Sequence, residues 1–218
     1  MKLINLYPNN KSLIKLQNLF FRNKDNYFID KKYLPRMINS FHDDISFEDE
    51  YQNEVYQLTK DFCLSNNYSK ILDIGVGSAY KLIKYFNEFE TLGIDLPRTV
   101  KWLRSKYPNK KWSDKLIPLP GYDLIIAADV IEHMRFPNKL ISLIKKSSPK
   151  VVVFSTPDRS LLKSSIYGPP KNIAHVREWT FNEFASYISF HFDITFHEIV
   201  NKNQATQMII AKIKKTEL

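Results

Sequence analysis

Lys70-Ile71-Leu72-Asp73-Ile74-Gly75-Val76-Gly77-Ser78-Ala79 is a short apolar run that breaks on two closely spaced glycines. Runs of this length bounded by glycine read as buried strands. Glycines at a strand's carboxyl end permit a tight turn and a close approach of the backbone to a ligand. Three similar runs follow, Thr91-Leu92-Gly93-Ile94-Asp95, Tyr122-Asp123-Leu124-Ile125-Ile126-Ala127 and Val151-Val152-Val153-Phe154. Helical patterns near Tyr80–Phe86, Thr99–Lys106 and Pro137–Lys146 separate them. Continuous apolar strands alternating with helices imply a parallel sheet covered on both faces. The end of the chain differs. Phe192–Val200 and Gln207–Lys214 are strand patterns joined by Asn201-Lys202-Asn203, which leaves no room for a helix. They predict an antiparallel β-hairpin at the sheet edge.

Ahead of Lys70 the chain reads as helical and aromatic. Leu13, Leu16 and Phe20 are spaced for one helical face, and a clearer helix is predicted from Ser46, with Asp49 in the capping-box position. Its stripe of Phe47, Tyr51, Val55, Leu58 and Phe62 follows the helical period and stops at Ser65-Asn66-Asn67. The expected division is a helical N-terminal extension over 1–69, capping the ligand cleft, and an α/β domain over 70–218.

Composition excludes several classes. With 44% hydrophobic and 25% charged residues, the 218-residue chain is neither disordered nor fibrous. No stretch approaches the roughly 18 apolar residues that a bilayer span needs. Met1–Asn10 is broken by Asn5, Pro8 and Asn9 and lacks a signal-peptide apolar core. One cysteine, Cys63, excludes an internal disulfide and a cysteine-based zinc site. A cytoplasmic location is expected. The net charge of +9 would help nucleic-acid binding, but the lysines are scattered and form no long block.

The glycine loop does not suit a nicotinamide dinucleotide. That fingerprint needs a third glycine three residues after the second, where this chain has the bulky Tyr80. The Tyr80/Lys84 pair has dehydrogenase-like spacing, but it lies inside the first helix and Tyr56/Lys60 repeats it by chance. Taken with Gly93-Ile94-Asp95-Leu96 and Asp123–His133, residues 71–79 resemble the class I S-adenosylmethionine-dependent methyltransferases. The resemblance spans about Lys70 to Lys214 and implies a Rossmann-like, seven-stranded fold. It departs from the family pattern at Ala79, where the last glycine of the loop is expected. It implies that Asp73, Gly75 and Gly77 line the methionine end of the cofactor. Asp95, with Leu96 beside it, would accept the ribose hydroxyls, since a carboxylate offers two acceptor oxygens. Asp114, after Ser113, fits the adenine-recognition position and equally fits a solvated loop. Asp129 follows the fourth strand, where family members touch the cofactor.

For the acceptor, the sequence excludes more than it names. DNA amino-methyltransferases carry Asn/Asp-Pro-Pro-aromatic after the fourth strand; here that place holds Ala128-Asp129-Val130-Ile131. Cytosine C5 methylation needs a thiolate nucleophile, and Cys63, in the stripe-bearing N-terminal helix, is expected to be a packing residue. If Asp129-x-x-Glu132-His133 is helical, its three side chains share one face. A long loop follows, Ser155-Thr156-Pro157-Asp158-Arg159 through Gly168-Pro169-Pro170, and ends in His175-Val176-Arg177-Glu178-Trp179-Thr180. Loops of this length are usually functional. Thr180 and Glu183 form a second capping box.

This pairing resembles two metal-dependent branches, ubiquinone-type catechol O-methyltransferases and small-RNA 3′-terminal 2′-O-methyltransferases. The second also carries His-x-x-Glu-Trp-Thr. The resemblance implies that Asp129, Glu132, His133 and His175 hold a divalent cation, Mg, Mn, Fe or Zn, with Asp129 standing where a longer Glu is usual. Two carboxylates and two imidazoles suit such a site. Many metal-free members carry a similar pair, with the His as base or as packing. In either case His133 is the candidate catalytic residue. His42, His191 and His197 are expected at the surface.

The whole arrangement also resembles bacterial O-methyltransferases of surface-glycan and secondary-metabolite pathways, from Gln52-x-Glu54-Val55-Tyr56 and the Ser155–Trp179 loop. The expected function is transfer of a methyl group to a hydroxyl of a small polar molecule or sugar/glycan precursor. Alternatives are metal-dependent 2′-O-methylation of RNA 3′ ends, with nucleic acid the less favoured partner, and a dinucleotide-binding oxidoreductase.

Overall fold

The computed structural model describes residues 26–36, 38, 40, 51–162 and 166–214. Strands β1 (Lys70–Ile74), β2 (Glu90–Ile94), β3 (Lys111–Ser113), β4 (Leu124–Ala128), β5 (Val151–Pro157), β6 (Phe192–Asn201) and β7 (Thr206–Ile213) form one sheet. Their order is β3-β2-β1-β4-β5-β7-β6. The first five are parallel, and β7 runs antiparallel between β5 and β6. The expected fold class is therefore the one observed. The C-terminal hairpin enters the sheet with β7 inserted beside β5.

Helices α1 (Asn53–Ser65), α2 (Tyr80–Phe86) and α3 (Pro97–Lys106) pack on one face; α4 (Pro137–Ser147) and α5 (Phe181–His191) pack on the other. Because successive strand residues point to opposite faces, β4 serves both layers. Ile125 and Ala127 meet Leu140, Ile144 and Tyr187, whereas Leu124 and Ile126 meet Val55, Leu82 and Leu103. This explains why the central strands lack polar alternation: β4 is buried at all five positions. No helix among the described residues is long and apolar enough to cross a membrane.

Some expectations fall outside the described residues, and others are corrected. Leu13, Leu16, Phe20, Ser46, Phe47 and His42 lie outside the described residues. Tyr51, expected in the helical stripe, lies outside the helix that carries Val55, Leu58 and Phe62; that helix begins at Asn53, after Gln52, which is left-handed at φ 64°. Residues 26–36 are turns and irregular backbone, not helix. Leu34 N–H donates to Tyr167 O at 2.8 Å and, beyond that stretch, Ser40 N–H donates to Ile173 O at 3.1 Å. His191 and His197 are partly buried, not surface residues. His197 stacks on Phe181, with ring centroids 3.6 Å apart, and hydrogen-bonds Gln207 Oε1; burial lowers its pKa. Burial lowers His191 to about 4, with Lys145 and Lys214 adding to it.

Candidate active site

The carboxyl ends of β1, β2 and β4 open into a cleft of about 570 Å³. Its walls include Gly75 and Gly77 after β1, Asp95 and Leu96 after β2, Asp114 after β3, and Asp129 and His133 after β4. Ligands of open parallel sheets bind at such strand ends. Gly75 is needed where it stands. At φ 77° its backbone is one that side chains rarely adopt, and an added Cβ would lie 2.4 Å from Val130 Cγ2. Ala79, where the family pattern expects glycine, takes the same left-handed conformation at φ 58° and is buried.

Asp95 Oδ2 accepts the Gly77 N–H at 2.7 Å, and Oδ1 accepts the Leu96 N–H at 2.6 Å. The carboxylate thus shapes the glycine loop as well as facing the cleft. Asp73 sits deeper and is fully buried. Its Oδ2 accepts the Tyr56 hydroxyl at 2.8 Å, while Oδ1 has no partner. Burial pushes Asp73 up to about 7; the Tyr56 hydrogen bond opposes this, Asp95 adds to it and Lys81 opposes it. Asp73 is therefore not part of the cleft wall. Tyr56, which holds it, is.

On the other side of the cleft, Asp129-x-x-Glu132-His133 is not an α-helix. Asp129 is left-handed at φ 57°, and only Ile131–His133 form a short 3₁₀ turn. The side chains converge all the same. One ligand atom from each of Asp129, Glu132, His133 and His175 can be chosen so that all four lie within 4.8 Å of one another. The two imidazoles meet edge to face, centroids 4.8 Å apart. The loop is held there by Val176 N–H, which donates to Glu132 O at 2.8 Å. His133 and Asp129 line the cleft; Glu132 and His175 lie buried behind them.

Glu132 is the anomaly. It is fully buried, and neither carboxylate oxygen has a partner in good hydrogen-bond geometry, although Asp129 and Thr156 stand close enough to act on it. Burial, and next the charge of Asp129, drive its pKa well above the ordinary range. An unpaired buried carboxylate costs several kcal/mol unless it is neutralised, paired or bound to a metal. Two carboxylates and two imidazoles around one point fit a divalent cation.

The sequence assigns no site contact to Asn172, Glu178, Gln52 or Lys81, although Gln52 and Glu178 belong to motifs quoted above. Asn172, Gln52 and Lys81 line the cleft, and Glu178 lies behind His175. Asn172, three residues ahead of His175 in a loop, carries the ordinary signature of an Asx turn, and its Oδ1 accepts the Ala174 N–H. Gln52 accepts the Ser155 hydroxyl at 2.5 Å, a contact across 103 residues that no local pattern reveals.

A seven-stranded sheet of this order, with a glycine loop after β1 and a carboxylate after β2, defines a class I S-adenosylmethionine-dependent methyltransferase. Residues 47–203 match the family model described as a methyltransferase domain, and the chain belongs to that family. The dinucleotide oxidoreductase alternative is set aside by that membership. No curated protein sequence matches significantly. Among solved structures, the methyltransferase domain of bacterial CtHen1-C is 21% identical, TM-score 0.59, covering 76% of this chain and 100% of that one. A methyltransferase from Aquifex aeolicus is 17% identical, TM-score 0.57, covering 80% and 100%. The 1,6-didemethyltoxoflavin-N1-methyltransferase of Burkholderia thailandensis, bound to 1,6-didemethyltoxoflavin and S-adenosylhomocysteine, is 16% identical, TM-score 0.59, covering 78% and 81%. At these identities the neighbours establish the fold.

Proposed function

We propose that the enzyme methylates a hydroxyl oxygen of a small polar acceptor, a sugar or glycan precursor, beside a divalent cation held by Asp129, Glu132, His133 and His175. The observation that carries this is the convergence of those four side chains around a buried, unpaired Glu132. When bound, such a cation lowers the pKa of a hydroxyl and orients it. The chain supplies the rest. Asp95 and the Gly75–Gly77 loop would place the donor, with Asp73 behind the wall holding Tyr56, which lines the cleft. Where no cation is bound, His133, at the cleft wall, would instead receive the hydroxyl proton as transfer proceeds, because its one remaining ring nitrogen cannot serve both duties. Holding donor and acceptor in line is the main source of acceleration.

Transfer of a labelled methyl group to sugar acceptors, measured with and without chelator, tests this. Activity lost in chelator and restored by a divalent ion supports it. Full activity of His133→Ala in chelator removes both cation and base.

2′-O-Methylation at an RNA 3′ end is the second reading. The His175–Thr180 motif and the charge of +9 favour it, as do Arg135 and Lys139 on the cleft wall. Among the described residues neither pairs with a carboxylate; both lie over the Phe136 ring. A short oligoribonucleotide in the same assay separates the two readings.

A further inference from the structure

The hydrogen bonds behind the acidic pair fix where the protons of His175 lie. Asn172 Oδ1 accepts the Ala174 N–H at 2.9 Å, which only an oxygen can do, so its amide orientation is settled. Nδ2 therefore faces His175 Nε2, at 3.0 Å, and donates to it. Nε2 of the neutral ring must then be the bare nitrogen, and Nδ1 carries the proton. That proton goes to Glu178 Oε1 at 2.8 Å. Both residues are buried, and the Glu178 backbone N–H is itself held by the Tyr33 hydroxyl at 3.0 Å. His133 follows the same rule, because its Nδ1 lies 3.0 Å from Ala174 O, which can only accept.

We propose that Glu178 is a positioning residue that locks His175 in the Nδ1–H tautomer and so turns Nε2 toward the cluster. Asn172 occupies that lone pair as a placeholder and releases it when a cation arrives. The inference rests on the cation reading above. It goes further by assigning the Glu of the His-x-x-Glu segment a task, and Asn172 a second one. A carboxylate behind a ligating imidazole fixes its orientation and raises its basicity, and loss of such a partner weakens metal binding about tenfold to a hundredfold. One lone pair cannot serve two partners, so cation binding and the Asn172 contact exclude each other.

The test is made on the full chain. Nitrogen-15 resonances of the His175 ring in cation-free protein should show Nδ1 protonated and Nε2 bare. Addition of Zn²⁺ should shift the Asn172 side-chain amide. Mn²⁺ titration followed by electron paramagnetic resonance should give Glu178→Ala a tenfold to hundredfold weaker affinity than the parent protein. Glu178→Gln, which keeps an acceptor oxygen but loses the charge, should fall between them. A proton on Nε2 in the parent protein overturns the proposal without any variant. Parent-like Mn²⁺ affinity in Glu178→Ala overturns it while leaving the cation reading intact. Failure of the parent protein to bind Mn²⁺ or Zn²⁺ overturns both.

Discussion

Asp73 is a carboxylate placed where charge is costly. Its folded pKa of about 7 lies above the ordinary 3.8, chiefly because it is buried. A raised folded pKa means that its contribution to stability is fully present below about pH 4 and is lost as pH rises toward 7. Asp73→Asn keeps an acceptor for Tyr56 and removes the charge. It should raise the melting temperature at pH 8 more than at pH 5 and weaken S-adenosylmethionine binding, as scanning calorimetry and titration calorimetry would record. Equal shifts at both pH values would show that the carboxyl is not titrating in this window. Asp95→Ala should weaken the cofactor by about 1–3 kcal/mol, the cost of truncating a charged acceptor. It should also loosen the glycine loop, since Gly77 and Leu96 lose their acceptor. Unchanged affinity by calorimetry would move the ribose contact elsewhere.

At the scale of elements, α5 starts from an unusually well-connected cap. Thr180 and Glu183 form a reciprocal capping box; Glu183 also takes both contacts from Arg159 Nη2, each 2.8 Å, and the Asp30 N–H at 2.9 Å. Thr180→Ala should cost about 1 kcal/mol, a typical cap loss. Glu183→Ala should cost about 3 kcal/mol, because it leaves a buried arginine unpaired. Urea unfolding should reproduce that ranking, and equal losses would mean that Arg159 finds another partner. The capping box was legible because it is local: two residues, three apart. The strands were legible for the same reason, since burial on both faces writes itself as unbroken apolar runs. The start of α1 was not, because Gln52 departs from the helix toward partners more than a hundred residues away. Nor was the backbone at Asp129, whose positive φ places the three side chains without the helix that their spacing suggests. The convergence was readable while its geometry was not. His197 was misread because stacking on Phe181 depends on strand and helix meeting across the fold.

For the molecule as a whole, donor and acceptor duties fall on different parts of the sheet. β1 and β2 carry the residues proposed for the cofactor; the turn after β4 and the loop after β5 carry those proposed for the cation. Chelator should therefore leave S-adenosylhomocysteine affinity almost unchanged while abolishing methyl transfer. Calorimetry and the labelled-methyl assay on one preparation would check both halves, and a parallel loss of affinity would mean that the two duties are not separate. The segment from Tyr33 to Ser40 sharpens this division. Its amides at Leu34, Arg36 and Ser40 donate to Tyr167, Val176 and Ile173 of the loop that bears His175. Loop and segment are thus stitched together at three points, though well over a hundred residues separate them in the chain. Their amide hydrogens should exchange with deuterium as one block, opening and closing together. The readiness of the acceptor side then depends on the cohesion of a patch drawn from distant parts of the polypeptide, so a lesion near residue 34 should silence the chemistry proposed for residue 133.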